Sequence, residues 1–330
     1  MSVDPEQREA EELQYSLRST FFYRRQREFK KLLAKICEID SAKYDWSSSE
    51  SLGISQTSLS HVKNKSIPYS QVFCHPEVIS TSPQLIAYYR LIALLPQKGL
   101  QRLVFGVKAL EEGSIRTISK DRSLRLAKIL NAYISSIIDG DPKFSLEGIH
   151  FGALMNFGTQ INGSWRNEIG KEGTRRVKEF ILTHFIEKNL VKEIITKDET
   201  ISPPVKIVPP IDTVQTFTVK NGYKIAFSSE PDISIVSPSG SLEGAVEIKA
   251  GIDPAGALER YGAAKKSFDK ALRENKACTT VYLASCITEG VKEVMVDDRL
   301  VKQDFNLTKI FVGESARNEF LQYVQWLMHL

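Results

Sequence analysis

Around Pro203, Pro204, Pro209 and Pro210 the chain changes its hydrophobic period. Upstream, apolar residues recur at the helical spacing of about 3.6, and downstream they alternate at the strand spacing of about 2. Prolines remove backbone donors that either kind of ladder needs, so Lys197 to Ile211 is expected to be a linker or an extended crossing segment. At 330 residues the chain is long enough for two domains. The predicted fold class is therefore α/β (α+β), with a helical N-terminal region over residues 1–150 and a mixed sheet flanked by helices over 151–330.

In the helical region the most regular segment is Arg24 to Ile39, where Phe29, Leu32, Leu33 and Ile36 form one apolar stripe opposite Arg and Lys. Pro83 opens a second helix, PQLIAYYRLIALL, which Pro96 ends or kinks. Lys120 to Asp139 is a third, stopped by Gly140. Leu52 to Lys65, LGISQTSLSHVKNK, looks like the turn and second helix of a helix-turn-helix. Gly53 sits at the turn, Ser55 at the cap, and Gln56, Thr57, Ser60 and His61 face outward. The serines of the preceding YDWSSSES compete for backbone hydrogen bonds and make a poor first helix.

The later half opens with a Gly, Asn and Trp-rich stretch, FGALMNFGTQINGSWRNEIGKEG, followed by a helix over Thr174 to Leu190. Asn221-Gly222 between two β-prone runs predicts a hairpin. Strands are expected at Asp232 to Val236 and Ala245 to Lys249, joined through Pro238-Ser239-Gly240. Asp253 and Pro254 start a helix that runs to about Glu274, and TTVYLA, Thr279 to Ala284, has the fully apolar character of a central strand. A last strand, KIFVG, and a helix over Ser315 to Leu330 complete the reading.

Composition narrows the classes of function. Hydrophobic content of 42% and charged content of 25% exclude a disordered, collagenous or disulfide-stapled chain. No apolar run reaches membrane length and the first residues lack a signal peptide's apolar core, so a cytoplasmic protein is expected. Cys37, Cys74, Cys278 and Cys286 form no CxxC pair, and each is expected to be a small buried hydrophobe. The five histidines form no metal box. A net charge of +4 is compatible with a polyanionic partner without requiring one.

Chemistry concentrates in Glu230-Pro231-Asp232, then fourteen residues, then Glu247-Ile248-Lys249. Side chains alternate across a strand, so Glu247 and Lys249 share one face while Val246 and Ile248 enter the core. Pairing of the two strands brings two carboxylates and an ammonium to one end of the sheet, with no bulky neighbour expected in the space between them. Like charges at one point repel, which makes a divalent cation the natural occupant, and hard oxygen ligands favour Mg2+. Asp232 and Glu247 are the candidate metal ligands, and Asp232, Glu247 and Lys249 the candidate catalytic group. Such a site suits phosphodiester hydrolysis, with Lys249 orienting or deprotonating the attacking water or steadying the developing charge.

At these residues the sequence resembles the PD-(D/E)XK nuclease superfamily, and more closely the XcyI-like type II restriction endonucleases. The stretch that carries the resemblance is EPDISIVSPSGSLEGAVEIKAGIDPAGALERYGAAKKSFDKA, Glu230 to Ala271, with weaker likeness in PQLIAYYRLIALLPQKGL and GTQINGSWRNEIGKEG. The resemblance implies a restriction-endonuclease-like core and Mg2+-dependent cleavage of both strands of double-stranded DNA. It further implies the palindrome CCCGGG, cut by a homodimer to leave 5′ overhangs, with a cognate DNA methyltransferase in the same system. The helical region would then serve DNA binding or dimerisation.

In that superfamily a further acid often joins from the first core helix. Glu168, Glu172 and Glu179 are candidates, and the helix's N-terminal end favours Glu168 or Glu172. Guanine is read bidentately by arginine, which points to Arg166, Arg175, Arg176 and Arg260. Lys265 and Lys266 suit phosphates, which position without specifying. Two alternatives stand beside this reading: a helix-turn-helix DNA-binding regulator, and a repair or recombination nuclease of the same superfamily.

Overall fold

The computed structural model describes residues 5–205 and 208–330. These divide into two compact units, residues 18–164 and residues 5–17 together with the described residues from 165 to 330. The limits differ from 1–150 and 151–330 for two reasons. Ile149, Ala153, Phe157 and Ile161 are buried in the helical core, and Gln14 near the N-terminus hydrogen-bonds the Ala250 carbonyl in the sheet unit.

The first unit is helical. Its elements are α1 (Pro5–Cys37) from Arg18 onward, α2 (Gln56–Asn64), α3 (Pro76–Thr81), α4 (Ile86–Ile92), α5 (Gln97–Leu103), α6 (Lys108–Glu111), α7 (Lys120–Gly140) and α8 (Leu146–Glu187) as far as Ser164. Ser55 caps α2 by accepting from the Ser58 N–H. Gly53 holds a φ of +78°, with the Lys128 carbonyl where a Cβ would stand. Gln56, Thr57 and Ser60 are exposed as expected, whereas His61 is half-buried. Only a single 3-10 turn, Ser49–Leu52, precedes α2 where a helix-turn-helix needs a first helix. At the centre of this unit the fully buried Arg90 pairs with Glu111 at 2.6 Å, and also donates to Gln160 and the Leu95 carbonyl.

The second unit carries an eight-stranded sheet in the order β2-β1-β3-β4-β5-β6-β7-β8. The strands are β1 (Val191–Thr196), β2 (Thr200–Ile201), β3 (Val214–Val219), β4 (Lys224–Phe227), β5 (Ile233–Val236), β6 (Leu242–Lys249), β7 (Thr279–Ala284) and β8 (Gln303–Asn306). The helices α9 (Ala257–Glu274), α10 (Glu289–Asp298), α11 (Leu307–Val312) and α12 (Glu314–Trp326) alternate with or follow the later strands. Pairing is antiparallel through β5–β6 and parallel from β6 to β8, so the sheet is mixed and flanked by helices. Asn221-Gly222 forms the β3–β4 turn with Gly222 at φ +91°. Val246 and Ile248 enter the core with Val177, Ile181 and Phe185 of α8. Full burial of side chains of this size is worth about 1.5–3 kcal/mol each, which fixes the face on which β6 presents its alternate residues.

Four expectations are corrected. The glycine-rich stretch before Thr174 is not irregular but continuous helix within α8, because its apolar residues pack at helical spacing and tertiary contacts outweigh the glycines' weak propensity. Lys197 to Ile211 is not only linker or crossing segment, since Thr200–Ile201 within it forms β2 and pairs with the unforeseen β1 just before it. KIFV of KIFVG is helical, since Asn306 caps α11 by accepting from the Lys309 N–H, Gly313 ends it, and the last strand lies just before it at β8. Cys74 and Cys278 are buried, but Cys37 is exposed and Cys286 half-buried.

Candidate active site

Strand β6 ends in Glu247, Ile248 and Lys249, and β5 begins one residue after Asp232. Their register, Ile233 opposite Val246, places Asp232 across from Glu247. One Asp232 carboxylate oxygen accepts the Ile248 backbone N–H at 2.9 Å, filling a hydrogen-bonding position just beyond the start of β5. The Lys249 ammonium lies 2.5 Å from Glu247 Oε2 and 3.9 Å from Asp232 Oδ2. The structure thus brings Asp232, Glu247 and Lys249 to one end of the sheet.

The electrostatics of this cluster are unfavourable for isolated carboxylates. Burial first, and then the charge of Glu247, push the Asp232 carboxyl up to about 6, against the Ile248 N–H, Lys249 and Lys178, which pull it down. Glu247 is only 3% exposed, and its Oε1 is buried without a hydrogen-bond partner among the described residues. A buried anionic oxygen with nothing to accept from carries a large desolvation cost. A hard divalent cation meets that need, and the two-carboxylate donor set fits one. Among the described residues no group of three or more His, Cys, Asp or Glu stands together as a fuller metal cage.

The space beside Glu247 is more crowded than expected. Tyr282 of β7 is its register partner in the parallel pair and is fully buried, and the Tyr282 and Ser285 hydroxyls lack partners among the described residues. Sequence reading also passes over Lys178 of α8. This half-buried lysine lies with its ammonium 5.3 Å from the centre of the Phe227 ring. Burial pulls its pKa down, while Asp232 and Asp212 pull it back up.

The candidate acids from α8 do not join the cluster. Glu172 receives hydrogen bonds from Arg175 and Arg176, which, with Arg175 the stronger, hold it down to about 2. Glu179 is bonded by Arg175 at 2.5 Å, and Glu168 is exposed. The same pairs occupy the arginines assigned to guanine. Arg175 bridges Glu172 and Glu179, and Arg176 pairs with Glu172. Arg166 stands 3.5 Å from Asp253 in a surface pair. Arg260 donates to the Asp253 carbonyl at 2.5 Å, and a Cβ at Gly251 or Gly256 would meet its guanidinium, so it ties the loop after β6 together. Lys265 pairs with Asp298 at 3.2 Å, and Lys266 is exposed.

The model of the XcyI restriction endonuclease family matches residues 54–292. The chain is 27% identical over 213 residues to the type II restriction enzyme Cfr9I of Citrobacter freundii, an alignment covering 61% of this chain and 59% of that enzyme. The match therefore spans less than two thirds of that relative's length.

Proposed function

The chain belongs to the XcyI restriction endonuclease family, and from that premise we propose that it is a type II site-specific deoxyribonuclease. It hydrolyses phosphodiester bonds in both strands of double-stranded DNA at a short palindrome, with Mg2+ held by Asp232 and Glu247. The single observation that carries this reading is the meeting of Asp232, Glu247 and Lys249 at one strand end, with the buried Glu247 Oε1 left unpartnered.

When bound, the ion would polarise the phosphoryl oxygen and acidify the attacking water. Asp232 and Glu247 supply the negative charge that holds it there. Lys249, an ammonium beside both carboxylates, offers positive charge to the phosphoryl oxygens as negative charge builds on them. The Ile248 N–H fixes the Asp232 carboxylate, so this ligand is oriented before any ion arrives. Preorganisation of this kind acts in the transition state without a reorganisation cost at the moment of reaction.

The specificity in this reading is CCCGGG, cut to leave 5′ overhangs. A palindrome is read economically by a two-fold homodimer, one subunit per half-site, so that equivalent bonds are cut in both strands. The enzyme works in the cytoplasm beside a cognate DNA methyltransferase that protects the host's own sites. No helix among the described residues is long and apolar enough to cross a membrane.

The test is direct. Purified protein is incubated with Mg2+ and a supercoiled plasmid carrying CCCGGG, and the ends of the products are sequenced. Discrete fragments with 5′ overhangs at that site are expected. A smear would favour a repair or recombination nuclease, and intact plasmid would remove the nuclease reading.

A further inference from the structure

Helix α8 crosses the sheet unit close to the acidic cluster. At Gly173 it touches Ala250, the residue after Lys249, so closely that a Cβ would overlap the Ala250 side chain. About one and a half turns later Lys178 comes over β4, the strand beside β5. Its ammonium lies over the ring of Phe227, whose register partner is Ile233, next to Asp232. Helix α8 thus runs from the end of β6 to Phe227 of β4, and Lys178 is a cation close enough to Asp232 for the two charges to act on each other.

The surroundings of Lys178 are unusual for a structural lysine. It is half-buried, yet among the described residues it has no hydrogen-bond or ion-pair partner within 4.0 Å, and its close contact is the face of an aromatic ring. Its neighbour Arg175, by contrast, is fully paired with Glu172 and Glu179. An ammonium kept partly out of water without an anion in contact is costly, whereas a phosphate arriving at the cluster would satisfy it. The Asp232 carboxylate does not substitute for that anion. Asp232 is committed to the Ile248 N–H and lies closer to Lys249.

We propose that Lys178 binds a backbone phosphate of the DNA strand being cut, holding it on the Asp232 side of the cluster while Lys249 stands on the Glu247 side. This rests on the nuclease reading of the site and adds to it a second lysine, contributed by a different element. The Phe227 ring steers the ammonium without consuming its three donors, and Gly173 permits the close approach of α8 that puts the lysine within reach. Lys178 is a substrate-positioning residue, and Lys249 remains the charge nearest the reacting group.

The test compares Lys178→Met, which keeps the length and the contact with Phe227, with Lys178→Arg, which keeps the charge. Binding to a short duplex carrying CCCGGG is measured in Ca2+ over a series of salt concentrations, beside single-turnover cleavage in Mg2+ and thermal melting. Lys178→Met should bind several-fold more weakly, with the slope of log K against log salt reduced by about 0.9, the value for one lost phosphate contact. It should also cut at least tenfold more slowly, and Lys178→Arg should recover most of the slope. An unchanged slope overturns the proposal, whether cleavage is normal, which leaves the lysine idle, or lost, which makes it a partner of Asp232 alone. A lower melting temperature with an unchanged slope overturns it as a structural role. If the wild-type protein binds the duplex but never cuts, the nuclease reading fails, and the salt slope still decides the role of Lys178.

Discussion

Gly173 of α8 lies against Ala250, the first residue after the Glu247–Lys249 segment, with no room for a Cβ between them. The helix and the active strand are therefore set by a contact that only glycine allows. Gly173→Ala should lower stability by about 1–3 kcal/mol, the usual range for overpacking, and should reduce cleavage more than that loss explains by lifting α8 from the cluster. Urea unfolding and single-turnover cleavage measure the two effects. A variant as stable and active as wild type would mean that α8 shifts freely at this contact.

The buried pair in the helical unit makes a separate prediction. Arg90 and Glu111 are both nearly inaccessible, and Arg90 meets Glu111 through two nitrogens. Removing one partner leaves an uncompensated buried charge, so Glu111→Ala should cost about 3–5 kcal/mol in chemical denaturation. A loss below about 1 kcal/mol, the range of exposed pairs, would contradict that burial.

Asp232 contributes a pH dependence of its own to the stability of the ion-free protein. Its carboxyl stands at about 6 in the folded chain, above the ordinary value of about 3.9 that it regains on unfolding. The folded state thus holds the proton more tightly, and the contribution of Asp232 to stability is full below pH ~4 and lost as pH rises through about 6. Asp232→Asn cannot ionise and escapes that loss. In EDTA it should match wild type near pH 4 and exceed it at pH 8 by on the order of 2–3 kcal/mol. Parallel stability curves for the two proteins from pH 4 to 8 would refute the shift.

How far the sequence was legible depends on one helix. The β5–β6 hairpin could be read because strand periodicity, turn residues and the acid-acid-lysine pattern all agree, and the structure pairs those strands in the expected sense. The stretch before Thr174 could not, since its glycines outweighed a stripe already present at i+4 spacing, Ile149, Ala153, Phe157 and Ile161, every member of which is buried. That error carried into the site. Once residues 146–187 are one helix, Glu172 falls three and four residues before Arg175 and Arg176, where intrahelical ion pairs form. The arginines assigned to guanine and the acid assigned to the cluster then satisfy each other. Lys178 was hidden for a different reason, because its neighbours Phe227 and Asp232 come from distant strands that only the folded sheet assembles.

Lys249 tests the division between binding and chemistry. If its charge acts mainly on the transition state, Lys249→Ala should cut at least about 100-fold more slowly and still bind the CCCGGG duplex in Ca2+ with near wild-type affinity. Parallel loss of binding and cleavage would make it a ground-state phosphate contact instead.

Asp232 and Glu247 are proposed to hold the ion that makes this chain a nuclease, and plasmid cleavage in Mg2+ by Asp232→Ala and Glu247→Ala decides it. Each removes one of two carboxylates, which should leave the cation poorly held and abolish cutting. Circular dichroism should meanwhile show both variants folded, since relief of the Asp232–Glu247 repulsion offsets the contact with Ile248 or Lys249 that each deletion removes. Normal cleavage by either folded variant would contradict the claim.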